Sequence, residues 1–131
     1  MVITLGSPLR GGVLARQYMR KRYHHKKLIR DKIPEYIEAS GNEYKTRVLD
    51  NTEFEKELKK KLLEESKELA EAPKELLMNE LADVLELIKS ISSHYKISFK
   101  KVEKYQVEKR KKRGGFRKKL FLIWSTGRAG K

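Results

Sequence analysis

Cysteine is absent from the 131-residue chain, which excludes both a disulfide framework and a thiolate metal site. A reducing compartment, the cytoplasm, is the expected setting. Long apolar runs are absent too. The longest, LFLIW at 120–124, falls far short of the roughly 20 residues needed to cross a bilayer, so no membrane partner is expected. Acidic residues are missing from both ends: residues 1–27 carry seven Lys or Arg and residues 109–131 carry ten, with no Asp or Glu in either stretch. Residues 28–108 hold the other 15 bases and all 18 acids. The formal charge of +14 therefore belongs to the ends, while the body between them is net −3.

The length fits one domain with a modest core. Residues 1–26 read as a basic N-terminal arm whose apolar stretches are too short and too interrupted for a secretory signal. Such an Arg-rich arm can mimic an organellar transit peptide; the simpler expectation is that Met19 is the true start and the preceding residues are extra translated sequence. His24 and His25 lack partners at metal-ligand spacing and read as an exposed pair. Residues 27–123 read as the folded domain and 124–131 as a basic tail, with no internal repeat.

Within the domain, Pro34 opens a short helix that Gly41 closes. The segment YKTRVLD reads as a short extended piece. Asn51 or Thr52 caps a long helix that ends before Pro73. A second helix starts at Pro73 or Lys74 and runs to about residue 95; a third follows Ser98 and stops at Gly114 and Gly115. The expected fold class is all-α, an antiparallel bundle of about four helices around a central acidic hairpin, oligomeric because apolar surface would otherwise stay uncovered. The apolar part of FRKKLFLIWSTGRAGK is expected to pack back on that bundle.

The stretch LLEESKELAEAPKELLMNELADVL, 62–85, sets acids among leucines. At about 100° per residue, Phe54, Leu58, Leu62, Glu65, Leu69 and Ala72 share one stripe, with Glu68 at its edge and Glu64 turned towards solvent. In the next helix Leu76, Leu77, Val84, Leu87, Ile88 and Ile91 share a stripe with Glu80, and Asp83 lies at its edge. Glu71 and Glu86 read as solvated. With the helices folded back across the Ala72–Pro73 break, Glu68 and Glu80 lie roughly 6 and 9 Å from the turn, Glu65 and Asp83 slightly deeper. The carboxylates then converge, and their repulsion destabilises the fold unless a cation neutralises it. Ligands that are all oxygen favour Mg²⁺ or Mn²⁺. Cross-helix ion pairs to Lys61 are the competing reading.

EESKE (64–68) followed by ELAD (80–83) resembles the EExxE…ExxD signature of the all-α nucleoside triphosphate pyrophosphatase superfamily, which includes MazG-like enzymes and phosphoribosyl-ATP pyrophosphohydrolase. KLIRDKIPEYI (27–37) and EKRKKRGGF (108–116) resemble the opening and closing motifs of a house-cleaning branch of that superfamily, in the same order. The resemblance covers residues 27–123. It implies a Mg²⁺-dependent enzyme, with Mn²⁺ as the alternative metal, that converts a nucleoside triphosphate and water into the monophosphate and pyrophosphate. Glu65, Glu68, Glu80 and Asp83 match the family's metal ligands, and Glu64 is the remaining motif acid, a support for the ligands or a base acting on water. The 11 residues between Glu68 and Glu80 stand at the short end of the family's spacing. Members usually associate, which implies a homodimer or homotetramer.

A triphosphate also needs cations from the protein. Arg30 and Lys32 near the start, and Arg110, Arg113 and Lys118 near the end, are the candidates, with Gly114 and Gly115 allowing close approach to phosphate and Phe116 stacking on a base. Asp31 reads as a local partner that orients Arg30. RGGF reads equally well as a helix C-cap whose basic last turn complements the dipole. Phosphoribosyl-ATP hydrolysis or a dUTPase or dCTPase activity is the alternative within enzymes. The alternative of another class is a basic-armed nucleic-acid-binding module, which the +17 at the ends supports but which leaves the inward carboxylates unexplained.

Overall fold

The computed structural model describes residues 21–128. The readings made for residues 1–20, Met19 included, lie outside that range. Among the described residues four α-helices follow in order: α1 (Ile33–Ala39), α2 (Asn51–Glu71), α3 (Leu77–His94) and α4 (Phe99–Arg113), with a 3₁₀ turn at Lys74–Leu76 between α2 and α3. No strand occurs among the described residues, so their fold is all-α. YKTRVLD has no regular structure, as expected of an extended piece without a neighbouring strand.

Each boundary has a local cause. α1 carries Pro34 in its first turn and is followed by Gly41 at φ +76°. Its seven residues make only two turns, and it shares no close backbone contact with the other helices. Among the described residues α2 packs against α3 and α3 against α4. The cap of α2 is neither Asn51 nor Thr52 but Asp50, whose carboxylate accepts the Glu53 amide at 2.8 Å. A charged oxygen there also complements the helix dipole. Ala72, held extended before Pro73, ends α2.

The start of α2 faces the end of α3, so the two run antiparallel. Phe54 meets the His94 ring edge-on at 5.4 Å. Glu55 accepts the Tyr95 hydroxyl, pairs with Lys59 at 3.2 Å and lies 3.6 Å from His94. These contacts fasten the open end of the hairpin, and the covalent turn closes the other. Leu58 and Leu87, 3% and 7% exposed, are the buried hydrophobic residues of the described chain. The whole expected stripe of α2 is at least half-buried. On α3 only Val84, Leu87 and Ile91 of the expected apolar set face inward, whereas Leu77 and Ile88, and Leu76 in the 3₁₀ turn before them, are exposed. α3 is apolar on two sides, and only one of them meets α2.

α4 is anchored where the Ser92 hydroxyl donates to the Ile97 carbonyl and the Ile97 amide donates back to Ser92 at 2.9 Å. Beyond Gly114 the tail does not pack back: Phe116 is 97% exposed, and Leu120 to Trp124 are all open to solvent. Among the described residues no helix is long and apolar enough to cross a membrane.

The hairpin's dependence on so few buried side chains sets a contrast for mutagenesis. Leu58→Ala should destabilise the fold by about 3 kcal/mol, whereas Leu63→Ala, at an exposed site on the same helix, should cost less than about 1 kcal/mol. Urea unfolding followed by helical circular dichroism measures both.

Candidate metal centre

Glu65 of α2 and Glu80 and Asp83 of α3 meet near the turn of the hairpin. One carboxylate oxygen from each lies within 4.8 Å of the others. Glu80 and Asp83 are three residues apart and so share a helix face, and the antiparallel turn brings Glu65 opposite them. All three are half-buried, and the Glu65 side chain is only 14% exposed.

Two cations among the described residues answer these acids. The Arg30 guanidinium reaches Asp83 Oδ1 at 2.7 Å, and Lys61 Nζ stands 3.8 Å from Glu65 Oε1. The Lys61 pair spans one turn of α2 itself, so the cross-helix pairing considered for it is absent. The cation that bridges separate segments is Arg30, and its partner is Asp83 rather than the adjacent Asp31. Neither cation completes the compensation, because Glu65 Oε2 and Glu80 Oε2 are buried without a hydrogen-bond partner. Burial raises the Glu65 pKa above the ordinary 4.5; the Glu68 and Asp83 carboxylates add to the rise, and Lys61 opposes it. A converging set of carboxylate oxygens, two of them buried and unsatisfied, suits a small divalent cation.

Of the other expected site residues, Arg30 and Glu68 approach this trio and the rest lie elsewhere on the surface. Glu68 is exposed and acts on it through Glu65; Glu64 is exposed and turned outward. Lys32 is the exposed residue preceding α1. Arg110, Arg113, Phe116 and Lys118 are exposed around the end of α4. The Gly114 amide donates to the Arg110 carbonyl at 2.7 Å, with Gly114 at φ +83°, so RGGF forms a helix cap in which that amide is committed. The Arg110 side chain lies over Gly115, its Nε 3.5 Å from where a β-carbon would stand. His24 and His25 are exposed and belong to no metal-ligating group among the described residues. A shallow cavity lined by Glu38, Asn42, Glu43 and Tyr44 shares no residue with the trio.

No protein-family model, curated protein or solved structure matches the chain. The functional reading therefore rests on the carboxylates and what surrounds them.

The raised pKa of Glu65 has a definite sign. Between 4.5 and its higher folded value the native state binds more protons than the unfolded one, so this group's contribution to stability falls as pH rises through that interval. Thermal melts of the metal-free protein should lose ground over that window relative to Glu65→Gln, which lacks the titration. A metal held by the trio would compete with the guanidinium for Asp83, so Arg30→Gln should tighten Mn²⁺ binding several-fold in a spin-resonance titration.

Proposed function

We propose that the chain is a Mg²⁺-dependent nucleoside triphosphate pyrophosphohydrolase, with Mn²⁺ as a substitute, that converts a triphosphate and water into the monophosphate and pyrophosphate. The observation that carries this reading is the pair of buried, unpartnered oxygens on Glu65 and Glu80 beside Asp83. The order of the EESKE and ELAD motifs supports it. A house-cleaning role on non-standard or excess nucleotides, in the cytoplasm and as a homodimer or homotetramer that completes the helical bundle, belongs to the same proposal. Phosphoribosyl-ATP, dUTP and dCTP are the competing substrates.

Glu65, Glu80 and Asp83 would hold the ion, with Glu68 next to them as the fourth ligand. The metal's contribution when bound is to neutralise charge on the phosphates and to favour ionisation of water. Glu64 faces solvent, so it would be free to take a proton from water and release it to bulk. Arg30 stands nearest the trio and supplies the first guanidinium for a phosphate oxygen. Lys32, Arg110, Arg113 and Lys118 are exposed cations available to the rest of the triphosphate, and Phe116 is an exposed ring for the base.

A panel of nucleotides assayed for pyrophosphate release with and without Mg²⁺ tests this directly. Turnover should require the metal, and Glu65→Gln and Asp83→Asn should each lower kcat/KM by roughly 100-fold or more while the helical signal persists. Absence of metal-dependent turnover on every nucleotide, together with tight, salt-sensitive binding of RNA or DNA, would replace the enzyme by a nucleic-acid-binding module.

A further inference from the structure

Two apolar surfaces of the described chain have no partner within it. On α3, Leu77, Leu81, Leu85 and Ile88 recur at helical spacing and are 37–56% exposed, on the side adjoining the face that meets α2. α4 is anchored beyond this stripe, at Ser92, and leaves it open. In the tail, Leu120 to Trp124 form five consecutive apolar residues that are 61–89% exposed. We propose that a second copy of this chain covers both surfaces, the Leu120–Trp124 segment of each copy lying on the Leu77–Ile88 stripe of the other.

Area and reach favour this occupant. The tail segment and the stripe together offer on the order of 700 Å² of side-chain surface per copy, close to the roughly 800 Å² that each partner contributes to a stable complex. The tail segment is preceded directly by Arg117, Lys118 and Lys119, while the exposed charges along the stripe's stretch of chain, Lys74, Glu75, Glu86 and Lys89, cancel, so the contact rests on apolar area. The 15 residues of α4, roughly 22 Å of rod, separate the Ser92 anchor from the tail and carry it outward. Both complementary surfaces belong to one chain, so reciprocal exchange between two copies can close as a two-fold dimer. An anionic lipid surface would account for the basic, aromatic tail, yet it would leave the stripe bare and face the acidic body. The contact refines the association proposed above and does not depend on the hydrolysis. A monomer that hydrolyses nucleotides would refute only the contact, and a dimer without metal-dependent turnover would refute only the chemistry.

Trp124 is the single tryptophan of the chain, so its fluorescence reports on the tail alone. For the full chain, sedimentation should show a dimer, and Trp124 emission should be blue-shifted at high concentration and shift red on dilution to monomer. The double variant Leu81→Lys with Leu85→Lys spoils the stripe, and Phe121→Lys spoils the tail. Each should weaken self-association roughly tenfold or more, and both change exposed positions that the hairpin core does not use. Mixing the two variants should restore a heterodimer, with the intact tail of one on the intact stripe of the other. Four results would overturn the proposal: a monomer with red emission at all concentrations, or one with blue emission independent of concentration because the tail lies on its own chain; emission that turns blue only with vesicles containing phosphatidylserine; or a dimer indifferent to both variants.

Discussion

Carboxylates crowded within 4.8 Å of one another, partly withdrawn from water, set the terms on which this chain folds. At an effective dielectric near 20, two such charges repel by about 3–4 kcal/mol before screening. Burying a leucine returns about 1.5–3 kcal/mol. With Leu58 and Leu87 as the buried hydrophobic residues of the hairpin, apolar packing cannot outweigh a fully ionised trio by a wide margin. Compensation must come from cations or from protons. The structure shows both responses in part: Arg30 and Lys61 approach the acids, and Glu65 retains its proton to higher pH.

The legible part of this arrangement is the part that depends on angles along one helix. α2 has a single apolar face, so the stripe from Phe54 to Ala72 and the inward turn of Glu65 follow from spacing alone. Pro73 marks the fold-back, and with it the meeting of Glu65 with Glu80 and Asp83. α3 is less legible because its apolar residues surround more than half the helix, and periodicity does not say which side meets α2. Three consecutive residues able to cap a helix, Asp50, Asn51 and Thr52, made the start of α2 ambiguous by one or two positions. The Arg30–Asp83 pair joins residues 53 apart in sequence, with Arg30 on an irregular segment that has no period to read. The tail shows the same limit in another form, since an apolar run implies burial without naming what buries it.

Net charge says little about the centre of this molecule. The cations that dominate the total lie at the ends, and those at the end of α4 serve that helix first, because a basic last turn complements the partial negative charge of its unpaired carbonyls. Gly114 takes the positive φ that such an ending requires and returns its amide to Arg110. The acids near the turn answer instead to two individual cations of the body. Electrostatics at the centre is a matter of single pairs, and the surplus at the ends is a separate property.

The brief link from Ala72 through Leu76 also bears on how the molecule comes to exist. Because α2 and α3 are neighbours in sequence, their packing asks for little loop closure, and topologies dominated by such local contacts have low contact order and fold quickly. Arg30 must arrive from much farther along the chain. The hairpin can therefore form before its principal cation is in place, so the acids' mutual repulsion is felt during folding as well as after it. Lys61, carried on the same helix as Glu65, is the one counter-charge present from the start.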